Sequence, residues 1–209
     1  MSEPEAKQQR RFVFERDRHQ YLVCRGLIRY TLSRYAPVAP ADWQFSYNNY
    51  GRPEVLRGLC DLPLRFNLSH TRGMGVLAIT LSQDIGVDVE DTNRGDVGIH
   101  IADRYFSPRE VADLRALPAS QQPRTFFDYW TLKESYIKGR GMGLSLPLDK
   151  FSFELRHQPP SIDIEPELND PPTDWQFRQF NPNDRHLVAL AVRAKELPLR
   201  IEFREAFGC

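Results

Sequence analysis

Three carboxylates and one ammonium group stand in this chain at spacings that suit metal and phosphate chemistry. Asp88 and Glu90 are separated by a single residue in Ile85-Gly86-Val87-Asp88-Val89-Glu90. Glu134 and Lys138 fall a helical turn apart in Trp130-Thr131-Leu132-Lys133-Glu134-Ser135-Tyr136-Ile137-Lys138. In an extended strand side chains alternate between faces, so Val87 and Val89 point one way and Asp88 and Glu90 the other. On a helix, Phe127, Trp130, Glu134 and Ile137 share one stripe, which turns Glu134 toward the interior. A buried carboxylate is costly unless it is paired, hydrogen-bonded or bound to metal. Two oxygen ligands on a strand and a third on a packed helix suit a hard cation such as Mg²⁺. Two plainer readings stand beside this one: an ion pair from Glu134 to Lys138 along the helix, and a solvated strand end for Asp88 and Glu90. Gly86, in mid-strand, gives away packing and invites close approach of a ligand or of backbone.

A second polar group closes the segment Phe66-Asn67-Leu68-Ser69-His70-Thr71. Adjacent strand residues face opposite ways, and no third partner is evident, so Ser69 and His70 do not read as a hydrolase triad. Hydrogen bonding or charge pairing to a phosphate suits Ser69, His70 and nearby Arg52 better. Gly139-Arg140-Gly141-Met142-Gly143 follows a helix, where the negative dipole end emerges. It reads as a C-cap and turn, not as a phosphate loop.

Positioning these residues requires a mixture of helices and strands. Residues through about Gln9 are polar and expected to be loosely held. Apolar residues recur at helical intervals from Arg16 to Tyr35, and Arg16, Arg18, Arg25, Arg29 and Arg34 crowd the face expected to be solvated. An extended piece over Trp43–Tyr47, a turn through Asn48–Pro53 and strands over Arg65–Ser69, Gly75–Leu81 and Ile85–Glu90 follow. Ser107-Pro108-Arg109-Glu110 combines a capping box with proline at the first helical position, and a further helix spans Gln122–Lys138. Phe151–Leu155, Trp175–Phe180, Leu187–Val192 and Arg200–Phe203 are expected to be strands. The order indicates an α+β protein of two comparable halves, 1–84 and 85–209, meeting near Asp84.

Composition narrows the classes. The 209 residues are 41% hydrophobic, enough for a real core, and 28 basic residues balance 28 acidic ones. That neutrality gives no support to nucleic-acid or membrane-surface binding. Cys24, Cys60 and Cys209 form no CxxC pair, which indicates neither a zinc site nor a disulfide framework. With no signal segment and no apolar span, the expectation is a soluble cytoplasmic protein.

Taken together, Gly86-Val87-Asp88-Val89-Glu90 and, about forty residues on, Trp130–Lys138 resemble the bipartite signature of the 4'-phosphopantetheinyl transferases. Tyr50-Gly51-Arg52-Pro53 and Phe66-Asn67-Leu68-Ser69-His70 match the larger, Sfp-type branch, and Arg11–Asp17 resembles its N-terminal helix. The likeness runs from about Arg10 to Phe153. It implies a pseudo-twofold pair of α/β halves with the site in the cleft between them. It further implies transfer of the 4'-phosphopantetheine arm from coenzyme A to a serine of an apo acyl or peptidyl carrier protein, releasing adenosine 3',5'-bisphosphate. By the match, Asp88, Glu90 and Glu134 hold Mg²⁺, and Glu134 takes the serine proton. Lys138 steadies the leaving phosphate, and Arg52, Ser69 and His70 with Asp88 hold the nucleotide phosphates. Two halves that form their own cleft favour a monomer. The chain departs from the pattern in beginning inside the family's first strand, which leaves an unpaired edge in the N-terminal half, and in carrying Gln8 where many relatives have a basic residue, with Lys7 beside it. A module that binds coenzyme A or a carrier without turnover is the alternative.

Overall fold

The computed structural model describes residues 1–94, 99–195 and 197–206; Cys209 lies outside them. The chain opens on order. Ser2-Glu3-Pro4-Glu5 is a capping box with proline in the first turn, and it starts helix α1 (Glu3–Arg10) where loosely held residues were expected. Glu5 is buried, and its carboxylate pairs at 2.9 Å with Arg29 on α2 (Glu15–Leu32). Arg29 corrects the sequence reading of a solvated basic face. Only 3% exposed, it also donates to the carbonyls of Pro40 and Trp43, each at 2.9 Å. An arginine without an acidic partner close in sequence reads as solvated, but here the partner arrives from another helix.

Strands β1 (Phe45–Tyr47) and β2 (Pro53–Val55) form a short antiparallel pair, and β3 (Leu64–Thr71) and β4 (Met74–Leu81) a longer one. One face of the longer pair buries Leu64 and Phe66 against Ile28 and Leu32 of α2 and against Trp43. After β5 (Ile85–Asp91) come α3 (Ala102–Tyr105) and α4 (Pro108–Ala116), the latter started by the expected Ser107–Glu110 capping box. Helix α5 (Gln122–Arg140) ends at Gly141, which adopts the left-handed conformation as a C-cap. Then β6 (Phe151–Glu154) pairs with β7 (Ser161–Ile164), and β8 (Trp175–Asn183) with β9 (His186–Arg193).

The same plan thus runs twice: helix, short antiparallel pair, long antiparallel pair. The second time β5 precedes the helix and joins the long pair in a three-stranded sheet, β5-β9-β8. Ahead of α2 stands α1 instead. Arg200–Phe203, expected as a strand, joins no ladder. Its alternation is used for packing alone: Ile201 rests on the cluster of Val87, Val89 and Val188, and Phe203 meets Phe180 edge-on. No described helix is long and apolar enough to cross a membrane.

Candidate active site

Helix α5 lies along one face of β5, and their repeats nearly match. Same-face residues recur about every 6.6 Å on a strand, and i,i+4 residues about every 6.0 Å along a helix. The two elements run antiparallel and touch at three places along this face. Glu90 receives the indole N–H of Trp130 at 3.2 Å, Asp88 meets Lys138, and Gly86 abuts the backbone of Ser135 and Gly139. A Cβ on Gly86 would collide with the Ser135 carbonyl and the Gly139 amide. The close approach anticipated at Gly86 is thus that of backbone. Val87 and Val89 point away into their own apolar cluster, as strand alternation requires.

Asp88 is the hub. Lys138 Nζ lies 2.6 Å from Asp88 Oδ1, and Ser69 Oγ donates to the same oxygen at 2.8 Å. The Lys138 ammonium also donates to Ser69 Oγ at 3.0 Å. Asp88 Oδ2 is buried and has no hydrogen-bond partner among the described residues. Lys138 therefore serves Asp88, and the Glu134–Lys138 ion pair considered from sequence does not form. Glu134 makes no hydrogen bond to any other described residue. Burial, and then the negative charges of Asp88 and Glu90, push its pKa up to about 7 against the pull of Lys138. Glu90 is also raised, by burial first and Asp88 second, although Arg94 approaches it at 3.0 Å.

This donor set fits a hard cation. Three carboxylates repel one another, one buried carboxylate oxygen is unpartnered, and a lysine stands in as the nearest positive charge. Among the described residues no three acidic, histidine or cysteine side chains are gathered as a ready ligand group. Lys138 holds Asp88, while Trp130 and Arg94 hold Glu90.

The remaining site candidates divide. Ser69 joins the Asp88 cluster. His70, on the opposite face of β3, sets Nδ1 2.8 Å from Gln20 Nε2 of α2. Partial burial, and then the Lys138 charge, lower its pKa. Arg52 sits at the C-terminal end of α5, donating to the Gly139 carbonyl at 2.8 Å and pairing with Glu54 at 2.9 Å. Its guanidinium is thus committed to a helix end.

Two buried groups that position α5 escaped the sequence reading. Lys133, inside the Trp130–Lys138 motif, is fully buried and pairs with Glu110 at 2.7 Å. It donates also to the carbonyls of Leu148 and Phe151. The Ser107–Glu110 capping signal located Glu110 but not its partner. Asp170 accepts from Tyr136 Oη at 2.7 Å, Arg140 and Trp175 Nε1 at 2.8 Å, and Arg193. It fastens the end of α5 to β8 and β9, and no local pattern announces it.

Two family models cover almost the whole chain. Residues 84–191 match the 4'-phosphopantetheinyl transferase superfamily model, and residues 1–82 match the model of a 4'-phosphopantetheinyl transferase N-terminal region. The chain belongs to the 4'-phosphopantetheinyl transferase superfamily. It is 40% identical to 4'-phosphopantetheinyl transferase Sfp of Bacillus subtilis, over 93% of this chain and 84% of that protein. It is 32% identical to 4'-phosphopantetheinyl transferase HetI of Nostoc sp., over 92% and 78%. The L-aminoadipate-semialdehyde dehydrogenase-phosphopantetheinyl transferase of Mus musculus is 28% identical over 91% and 67%. The expectation of an α+β transferase is met, and the β5–α5 pair lies inside the superfamily match.

Proposed function

We propose that this transferase moves the 4'-phosphopantetheine arm of coenzyme A onto a serine of an apo acyl or peptidyl carrier protein, with Mg²⁺, in the cytoplasm and as a monomer of two halves, 1–84 and 85–209. The observation that carries the reading is the Asp88–Lys138–Ser69 cluster facing an unpartnered Glu134. A bond forms between the serine oxygen and the pantetheine-bearing phosphorus. The bond from that phosphorus to the pyrophosphate bridging oxygen breaks, and adenosine 3',5'-bisphosphate leaves. The serine proton goes to the Glu134 carboxylate, whose pKa near 7 suits a group that must accept and then release a proton near neutrality.

Asp88, Glu90 and Glu134 would hold the metal, which when bound supplies charge neutralisation on the pyrophosphate. Lys138 leaves Asp88 to stabilise charge on the departing phosphate, Asp88 and Ser69 line the phosphate side, and His70 takes part from the other face of β3. Arg52 would contribute to the phosphate side through α5, whose Lys138-bearing end its guanidinium holds. The chain's own part is positioning and electrostatics, as phosphoryl transfer demands. Incubation with coenzyme A, Mg²⁺ and an apo carrier protein should add the mass of one phosphopantetheine arm to the carrier. Coenzyme A binding without any mass gain would favour the non-catalytic binding module instead.

A further inference from the structure

One edge of β5 is hydrogen-bonded to β9, and among the described residues the other edge, which lies beside β3, joins no backbone ladder. Its amides are nevertheless satisfied. Val87 N–H donates to Asn67 Oδ1 at 2.9 Å, Val89 N–H to Ser69 Oγ at 3.3 Å, and Asp91 N–H to Thr71 Oγ1 at 3.4 Å. The three acceptors are alternate residues on one face of β3, and the three donors are alternate residues of β5. The pairs advance in the same direction at a constant offset of 20 residues. Polar side chains have taken the place of a backbone ladder.

We infer that Asn67 is a positioning residue: as the buried first rung of this side-chain ladder, it fixes the free edge of β5 and so the placement of Asp88 and Glu90 against α5. The inference rests on the function proposed above. Asn67 is 8% exposed, and its contact with β5 is to backbone, one residue before Asp88. A buried amide needs an acceptor, so losing the rung frees β5 to shift in search of one. Displacements of about 1 Å at a reacting site can cost on the order of a hundredfold in rate. Ser69 cannot hold the edge alone, because its hydroxyl also serves Asp88 and Lys138. The ladder also explains why β3 carries Asn, Ser and Thr on the face turned to β5 and Leu64 and Phe66 on the other.

The test compares Asn67→Leu, which fills the space without an acceptor, with Asn67→Asp, which keeps one. Three readouts apply: amide exchange at Val87 against Leu190 opposite it on β9, titration with Mn²⁺ alone followed by Trp130 fluorescence, and steady-state kinetics. For Asn67→Leu we expect faster exchange at Val87 with Leu190 still protected, and weaker Mn²⁺ binding. A fall in kcat of roughly tenfold or more should accompany a nearly unchanged KM for coenzyme A. Asn67→Asp should recover most of the Val87 protection. A folded Asn67→Leu protein with wild-type Mn²⁺ titration and kcat would overturn the inference. If that variant does not fold, Thr71→Val removes the last rung and should move the same readouts less; no movement there counts equally against it. Absence of transfer by the wild-type protein would defeat the functional reading, while exchange and Mn²⁺ titration would still judge the ladder.

Discussion

Strands β4 and β9 read much alike, Met-Gly-Val-Leu-Ala-Ile-Thr-Leu against His-Leu-Val-Ala-Leu-Ala-Val-Arg, and they occupy the same place in the repeated plan. Yet seven of the eight residues of β9 are buried and none of the eight of β4 is. The difference comes from neighbours. β9 is flanked by β5 and β8, whereas β4 pairs with β3 alone. The helices follow suit: ten of 19 residues are buried in α5, five of 18 in α2. Most of the proposed chemistry is carried on the better-enclosed half, and the other half contributes Ser69, His70 and the rungs that hold β5 in place. A three-stranded sheet with a helix on its face can keep the charged groups of β5 at fixed separations; a two-stranded pair cannot do so as well.

The largest expected effects lie at the β5–α5 contact. Asp88→Ala should abolish transfer while leaving the fold intact, as judged by carrier mass and circular dichroism. Lys138→Ala should lower kcat on the order of a hundredfold and change KM for coenzyme A much less, since the leaving-group charge it meets grows in the transition state. Comparable activity in Lys138→Ala and wild type would reduce Lys138 to a structural partner of Asp88, and the contrast between the halves would lose its functional meaning.

Next come two buried ion pairs, one in each half. In Glu110→Ala, Lys133 would be left fully buried with a charge and no counter-charge, and the Ser107 and Phe153 amides would lose their acceptor. The expected loss is about 3–5 kcal/mol. Glu5→Ala leaves Arg29 with its carbonyl acceptors, so about 1–3 kcal/mol is expected. Denaturant midpoints at unchanged slope would measure both. Equal losses would show that the N-terminal half depends on its polar core as heavily as the other.

Much of this was legible in sequence where the signal is local. Alternation along β5 placed Asp88 and Glu90 on one face, helical spacing faced α5 toward them, and the Ser107 capping box began α4. The same capping rule, applied to Ser2-Glu3-Pro4-Glu5, would have found α1. What stayed hidden depends on distant partners. Arg29 is buried because Glu5 and a loop close over it, Lys133 because Glu110 waits beneath it, and Asp170 because four donors converge on it from three elements. Arg200–Phe203 shows the reverse case, a strand-like alternation that packs without finding a ladder. Ser69 was read toward phosphate from its residue type; only the fold shows that it also bonds Asp88 and Lys138.

Backbone opening should sharpen the comparison more gently. Amides of Val76 and Ala78 in β4 should exchange through smaller openings than those of Ala189 and Ala191 in β9, because local stability tracks how much of a segment is enclosed. Native-state hydrogen exchange in low denaturant would measure this. Equal protection would mean that β4 gains from its face contacts what it lacks at its edge.

The smallest effect is one of pH, and it isolates Glu134. Its pKa is raised from 4.5 in the free side chain to about 7 in the fold, chiefly by burial. Between those values the native protein holds a proton that the unfolded chain has released, so stability falls as pH rises through that window. Below about 4.5 both states are protonated, and above about 7 both are ionised, so this contribution is flat on either side. Glu134→Gln should remove the slope. A cation that binds the ionised carboxylates acts in the opposite sense, since a ligand of the native state alone raises stability by mass action. The gain in Tm on adding Mg²⁺ should therefore be larger at pH values above the window than below it, and Glu134→Gln should diminish that difference. Thermal unfolding at several pH values, with and without Mg²⁺, reads both slopes. A gain from Mg²⁺ that is independent of pH would take Glu134 out of the cation site and leave Asp88 and Glu90 to hold it alone.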